Sequence, residues 1–144
     1  MTIPKEIAEK FIAWTKKKIL HHVQDNSECG DETSELYFHE GQVWWTALGK
    51  NIGFEFDGKT ELFHRPALIV KRYNDHMCFI LPLTTQIKEP KVWYQIPIPG
   101  GNKERVANIT QGRTISTKRL LRKESSIERD DFQKVKKAFL KQFV

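Results

Sequence analysis

Three polar residues of this chain stand in short segments rich in Gly, Pro or apolar residues. Arg65 precedes Pro66, Thr84 follows an apolar run, and Glu55 lies in a segment with Gly and Phe. A guanidinium can bind two phosphate oxygens at once and stays charged, and a hydroxyl can donate to a third oxygen. A carboxylate can take part in proton transfer. This set of residues suits the stabilisation of charge on a phosphate group.

The proton carrier is harder to assign, because an arginine resists deprotonation at neutral pH. His64 has a suitable ordinary pKa. In an extended segment, however, neighbouring side chains point to opposite faces, so only one of His64 and Arg65 is expected to face a common groove. A position in a loop or at a rim is the alternative for His64, and the general base stays unassigned.

Length and composition favour one soluble domain with a hydrophobic core, since 39% of the 144 residues are apolar. The net charge of +6 favours a polyanionic partner or an acidic protein. Cys29 and Cys78 are too few and too far apart for a zinc site, so both are predicted to be reduced thiols. No metal or cofactor is expected. The sequence shows neither a membrane-length apolar run nor a signal pattern, which predicts a cytoplasmic protein.

The first 24 residues are predicted to form an amphipathic basic helix. Its apolar stripe has helical spacing and consists of Ile3, Ile7, Phe11 and Trp14. Packing of this stripe on the rest of the protein or on a second subunit is the first interpretation. A nucleic-acid-guiding arm or a partner-binding helix is the alternative. Residues 25–39 are polar and acidic, which predicts a linker before a main domain at residues 40–144.

Short β-branched or aromatic segments, separated by turn residues, dominate the next part of the chain. They predict strands at residues 43–48, 67–70, 77–81, 93–96 and 106–109, and their spacing indicates a small barrel. Strand alternation predicts that one of Trp44 and Trp45 is buried and the other faces outward. An outward Trp would suit a dimer interface or a platform for a base.

The end of the chain is predicted to return to helix. Residues 117–122 are expected to form one or two short helical turns. Ser125 and Glu128 have capping-box spacing ahead of a further apolar stripe, formed by Phe132, Val135, Phe139 and Phe143. This stripe is expected to pack on the barrel.

Several motifs occur in a defined order along the chain. They are Gly53-Phe54-Glu55 with His64-Arg65-Pro66, then Leu83-Thr84-Thr85-Gln86, then Gln111-Gly112-Arg113-Thr114-Ile115. Together, over roughly residues 40–143, they resemble the MazF/PemK toxins, the ribonucleases of toxin–antitoxin systems. The resemblance implies a mainly β (α+β) fold, an SH3-like small β-barrel of the MazF/PemK/CcdB type with an added helix at each end. It also implies a sequence-specific, metal-independent endoribonuclease that cuts single-stranded RNA into 2′,3′-cyclic phosphate and 5′-hydroxyl ends.

The same resemblance suggests roles for individual residues. It places Arg65 and Thr84 close together in the groove as catalytic residues, with Glu55 as a loop residue for base contact or proton transfer. Residues expected to bind RNA are His64, Phe54, Phe56, Lys59, Thr85, Gln86, Lys88 and Arg113. The aromatic residues can equally belong to the core. The alternative for Arg113 is structural, with its guanidinium tying a strand end to the first loop.

One departure from the family concerns its PemK-type members. Some of these use an Arg and an Asp, two residues apart, just before the Gln-x-Arg-Thr-Ile segment. The corresponding residues here are Asn108 and Thr110. Either the chemistry rests on Arg65 and Thr84, as in MazF-type members, or this copy is slow or inactive.

Partners follow from the resemblance and the charge. The resemblance implies a homodimer inhibited by an acidic antitoxin, with single-stranded RNA as substrate. Residues 25–36 raise a separate hypothesis, that this acidic segment folds back and damps activity. Two alternative functions stay open, a gyrase-directed toxin of the CcdB type and a module that binds nucleic acid without cutting it.

Overall fold

The computed structural model describes residues 1–24, 37–88, 94–100 and 103–144. Cys29 and most of the predicted acidic linker lie outside these ranges. The fold-back hypothesis concerns residues 25–36, which are also outside them. The described helices are α1 (Lys5–Val23) and α2 (Arg129–Leu140). The strands are β1 (Gln42–Ala47), β2 (His64–Arg72), β3 (Met77–Thr84), β4 (Gln95–Ile98), β5 (Arg105–Asn108), β6 (Arg113–Ser116) and β7 (Leu120–Ser126). None of the helices described is long and apolar enough to span a membrane.

The strands form one antiparallel sheet in the order β4-β5-β3-β2-β1-β7, with β6 also paired to β3. The prediction of a barrel is wrong in one respect, because this sheet is open. Within the described chain β4 pairs only with β5, and β7 only with β1. Pro97 in β4 has no N–H to donate to a further strand, and the outer strand β7 carries the exposed charges of Arg122, Lys123 and Glu124. Both features oppose pairing between the two edges.

Strand prediction succeeds for β1 to β5 and misses β6 and β7. Residues 117–119 form a 3-10 turn, but residues 120–126 extend along β1 instead of continuing as a helix. The Leu, Arg, Lys and Glu residues of this segment favour helix locally. Pairing with β1 overrides that preference, because strand formation depends on neighbouring strands more than on local propensity.

The core has two layers, one on each face of the sheet. Ala67 and Ile69 of β2 face one cluster, which also contains Trp44. Leu68 and Val70 face the other cluster, which α2 covers with Phe132 and Val135. Trp44 is 6% exposed and Trp45 is half-buried, as strand alternation predicts. The capping-box prediction is wrong, because Ser125 lies in β7 and the α2 N-cap residue, Glu128, has no side-chain cap.

The amino-terminal helix attaches to the sheet mainly through one residue. Trp14 is 6% exposed and packs with Ala47 and Phe63, whereas Ile3 and Ile7 of the predicted stripe are exposed. Gly49 lies directly beneath the indole ring. It has φ +83°, and a Cβ there would stand 2.0 Å from the Trp14 ring. The helix thus packs at the start of the loop between β1 and β2.

Candidate active site

The loop of residues 48–63, here called the β1–β2 loop, carries several of the predicted site residues. Gln111 fastens it across the molecule. The Phe56 N–H donates to Gln111 Oε1 at 2.9 Å, and Gln111 Nε2 donates to the Phe54 carbonyl at 3.2 Å. Gln111 opens the Gln-Gly-Arg-Thr-Ile motif, which is the only sequence signal that could have identified this role.

Asp57 organises the same loop from within. Its carboxylate accepts hydrogen bonds from the Asn51 N–H and from Lys50 Nζ, both at 2.5 Å. Asn51 Nδ2 donates to the carbonyls of Leu48 and Phe56, at 3.2 and 2.8 Å. The Asp-Gly pair at residues 57–58 predicts a turn, but nothing in the sequence indicates these partners. The loop therefore has a defined shape in front of β2.

Arg65 is buried at the start of β2, with 8% of its surface exposed. Its Nε donates to the Asp57 carbonyl at 2.6 Å and its Nη1 to the Leu83 carbonyl at 3.2 Å, while its guanidinium stacks 4.6 Å from the centre of the Phe56 ring. Burial lowers the pKa of Arg65, and the Asp57 charge opposes that shift. Among the residues described, Nη2 makes no hydrogen bond, so its N–H groups are the donors that Arg65 can still offer.

Thr84 ends β3 beside this arginine. The β2–β3 pairs run as far as Ala67 with Pro82, and the same register continued by two residues would bring Arg65 opposite Thr84. The hydrogen bond from Arg65 to the Leu83 carbonyl agrees with this alignment. Thr84 is 5% exposed, and its Oγ1 accepts from the Gln86 N–H at 3.1 Å. Its hydroxyl hydrogen thus remains available for donation to an anion.

A cleft of about 460 Å³ opens next to Phe56, whose ring stacks on Arg65, but neither Arg65 nor Thr84 lines it. Glu55 and Phe56 of the β1–β2 loop, Pro82 of β3 and Arg113 of β6 contribute to its lining. Glu55 is exposed and accepts from the Ile52 N–H at 3.0 Å. The Arg113 guanidinium makes no hydrogen bond or ion pair with the residues that the structure describes. The tie to the loop considered for Arg113 is made by Gln111 instead, and Arg113 presents an uncompensated positive charge to the cleft.

The other predicted RNA contacts are spread more widely. Phe54 is 85% exposed at the tip of the β1–β2 loop. Lys59 is near enough to Arg65 for that charge, together with burial, to lower the pKa of Lys59. Thr85, Gln86 and Lys88 are exposed beyond β3 and do not line the cleft.

The segment after β3 is held by a residue that the sequence does not single out. Gln95 of β4 accepts from the Lys88 N–H at 2.8 Å and donates to the Gln86 carbonyl at 3.1 Å. It also donates to Asn108 Oδ1 at 2.7 Å. Asn108 is fully buried, whereas Thr110 is exposed on the cleft. Of the two residues that replace the Arg/Asp pair, only Thr110 can meet a ligand there.

His64 lies on the opposite side of β2 from Arg65, as strand alternation predicts. Burial, followed by the charges of His21, Lys17 and Arg122, lowers its pKa. These cations belong to α1 and β7. The structure therefore does not bring His64 together with Arg65 and Thr84.

Two histidines make stability depend on pH near neutrality. Burial is the largest cause of the lowered pKa values of His21 and His64, both below the ordinary 6.5. The unfolded chain then binds more protons than the folded chain as the pH falls through 6.5, so the free energy of unfolding should decrease there. Urea unfolding on either side of pH 6.5 measures this. In the His21→Gln/His64→Gln variant the free energy of unfolding should depend less steeply on pH. The control variant His39→Gln, at an exposed residue, should match the wild type. Equal slopes in all three proteins would refute the explanation.

Fold and site together define a small α+β protein with a buried arginine and a threonine beside an open cleft suited to anions. Residues 39–143 match the model of the PemK-like, MazF-like toxin of type II toxin–antitoxin systems. The chain belongs to this family, which confirms the resemblance seen in its motifs. Helix α1 lies outside the matched span. No curated protein matches the chain.

Solved structures share the fold. MazF (Form-I) from Deinococcus radiodurans is 18% identical with a TM-score of 0.61, over 72% of this chain and 94% of that chain. The Mycobacterium tuberculosis toxin MazF-mt6 is 17% identical with a TM-score of 0.53, over 71% and 95%. An endoribonuclease in complex with its cognate antitoxin, from a mycobacterial species, is 16% identical with a TM-score of 0.51, over 72% and 92%. At these identities the likeness concerns the fold.

Proposed function

We propose that this chain is the toxin of a type II toxin–antitoxin system and acts as a metal-independent, sequence-specific endoribonuclease on single-stranded RNA. The observation that carries the proposal is the buried Arg65, which makes no described hydrogen bond through Nη2 and stacks on Phe56, a residue of the cleft lining. Membership of the toxin family supports it. The structural neighbour described as an endoribonuclease supports the same reading.

In the proposed reaction the 2′-oxygen of one nucleotide attacks the adjacent phosphorus. A bond from that oxygen to phosphorus forms, and the bond from phosphorus to the 5′-oxygen breaks. The products are a 2′,3′-cyclic phosphate and a 5′-hydroxyl. Arg65 and Thr84 donate hydrogen bonds to the oxygens that gain charge in the pentacoordinate transition state. Their orientation is fixed by contacts already made in the fold, so little reorganisation accompanies the reaction.

Proton transfer is assigned within the same cleft. The 2′-hydroxyl must lose a proton and the leaving 5′-oxygen must gain one. Glu55 lines the cleft and is exposed, and we assign it proton exchange with the reacting groups. Arg65 is assigned only charge stabilisation, because a guanidinium keeps its proton near neutral pH. His64 lies on the far side of β2, so it takes no part in this step.

Substrate and partners are inferred from charge and exposure. Phe54 offers an exposed ring on which an unpaired base can stack. Lys59 and Arg113 provide cations for RNA phosphates, and Thr85, Gln86 and Lys88 extend this proposed contact surface beyond β3. The same cations would attract an acidic antitoxin. Homodimer formation and a cytoplasmic location are proposed from the family alone.

The direct test incubates the purified protein with a long unstructured RNA in EDTA and maps new 5′ ends. The wild type should cut at a small set of related sequences, and Arg65→Lys should leave the RNA intact. Exposed Lys137→Gln on α2 serves as a control that should cut normally. Intact RNA with altered DNA supercoiling by gyrase would identify the CcdB-type alternative, and a mobility shift without products would identify a binding module; each would contradict the proposal.

A further inference from the structure

A second, strongly basic pocket lies between α1 and the turn that joins β6 to β7. It has a volume of about 140 Å³, and we call it the basic pocket. The cationic and titratable residues that line it are Lys18, His21, His22, Lys118 and Arg119. Among the described residues no carboxylate lines it, and the remaining lining residues are Trp14 and Ser116.

Contacts between α1 and the sheet fix the walls of this pocket. Lys118 Nζ donates to the His22 carbonyl at 2.8 Å, which ties the end of α1 to the β6–β7 turn. Arg119 Nη1 donates to the Ala47 carbonyl at 3.0 Å, and its guanidinium stacks 5.7 Å from the centre of the Trp14 ring. Arg119 and Trp14 are thus held in the fold, while Lys18 is exposed on α1.

The charge of the pocket is not neutralised by the described part of the protein. The described residues form seven ion pairs, and none of these pairs includes a residue of the basic pocket. At the start of α1, by contrast, Lys5 pairs with Glu9 and Lys10 with Glu6. Burial, with the charges of Arg119 and Lys17, lowers the pKa of His21. Such unbalanced positive charge favours an anionic ligand.

Strand β6 connects the basic pocket with the candidate active cleft. Arg113 at one end of β6 lines the cleft, and Ser116 at the other end lines the pocket. The backbone positions of Arg113 and Ser116 are roughly 10 Å apart, because a strand rises by about 3.3 Å per residue. Burial, followed by the charge of Arg113, lowers the pKa of Arg119, so the two guanidinium groups lie in one positive field. An RNA strand that occupies the cleft can therefore reach the pocket.

We propose that the basic pocket binds one backbone phosphate of the RNA substrate, a few nucleotides away from the bond that is cut. This inference rests on the proposed function. The volume equals that of about five liquid waters, which suits one phosphate group. Because Lys18 and the two histidines come from α1, which lies outside the family match, the site joins an added helix to Lys118 and Arg119 of the family domain.

Binding of fluorescent 2′-O-methyl RNA tests this without cleavage, since that RNA lacks the attacking hydroxyl. One oligomer is a dinucleotide, which is too short to occupy the cleft and the pocket together, and the other has about 20 nucleotides, more than the span of one small single-strand-binding domain. Lys18→Gln/Lys118→Gln should raise the Kd for the long oligomer roughly tenfold and reduce its salt-dependence slope by about 0.7, the value of one phosphate contact. Binding of the short oligomer should stay unchanged. Lys16→Gln/Lys137→Gln, which removes the same charge elsewhere, should bind both oligomers as the wild type does.

Lys18→Gln alone preserves the bond from Lys118 to α1 and should show a smaller rise in Kd for the long oligomer. Thermal unfolding identifies any variant that has lost its fold. Equal binding by the pocket variant and its charge-matched control would overturn the proposal. If the pocket variant bound poly-glutamate more weakly but RNA as before, the proposal would also be overturned, and the pocket would be assigned to an acidic protein. Because no product is formed, the result stands apart from whether the wild type cuts RNA.

Discussion

Arg65→Lys is expected to lower the single-turnover rate of RNA cleavage by roughly 10² to 10³, the usual effect of removing one preorganised donor from an anionic transition state. Lysine keeps the charge but cannot bind the Asp57 and Leu83 carbonyls and also present a further N–H to the phosphate. Arg65→Ala is a weaker test, because it leaves both carbonyls without this donor. Each unsatisfied carbonyl would lower the free energy of unfolding by about 1–3 kcal/mol, so lost activity could reflect lost stability.

A matched control exists on the same strand. Arg72, at the other end of β2, stacks 4.8 Å from the Phe38 ring and donates to the Phe38 carbonyl, much as Arg65 contacts Phe56 and Asp57. Arg72→Lys should therefore lose similar structural contacts and still cleave at the wild-type rate. If both variants cleaved at similar rates, Arg65 would have no role beyond the fold.

Gly58→Ala is expected to lower the free energy of unfolding by about 3 kcal/mol, at the upper end of the cost of forcing atoms into a packed site. A Cβ at this residue would stand 1.7 Å from the Phe63 carbonyl oxygen. The backbone cannot easily move away, because the Gly58 N–H donates to the Gly49 carbonyl at 2.8 Å. Gly58 follows Asp57, whose carbonyl accepts from Arg65, so cleavage should fall as well.

Gly53 supplies the comparison in the same loop. It has φ +57°, and a Cβ there would meet nothing within 4 Å. Gly53→Ala should therefore cost only about 1–2 kcal/mol, the penalty of a left-handed backbone for alanine. Urea denaturation of the two variants measures the difference. Equal stability of Gly58→Ala and Gly53→Ala would show that the loop rearranges and does not hold Arg65 as described.

The sequence predicts most of the sheet, because β1 to β5 consist of β-branched and aromatic residues between clear turn signals. It does not predict β7, whose residues favour helix until β1 offers a partner. Barrel closure is also beyond sequence patterns. It depends on pairing between β4 and β7, which the proline of β4 and the exposed charges of β7 oppose.

The sequence likewise predicts some features of the candidate site and misses others. Alternation along β2 is enough to predict that Arg65 and His64 face opposite sides. The motifs that align Arg65 with Thr84 are local to β2 and β3. The roles of Gln111 and Arg119 are not local, because their partners lie 55 or more residues away. The basic pocket likewise forms only when α1 packs across Gly49.

The most direct test of the account is the cleavage of one RNA with and without a single 2′-deoxy nucleotide at the mapped site, followed by analysis of the ends. The account predicts that wild-type protein in EDTA cuts the all-ribose RNA to a 2′,3′-cyclic phosphate and a 5′-hydroxyl, and leaves the deoxy RNA whole. Cleavage of both RNAs at that site would contradict attack by the 2′-oxygen and, with it, the role given to Arg65 and Thr84.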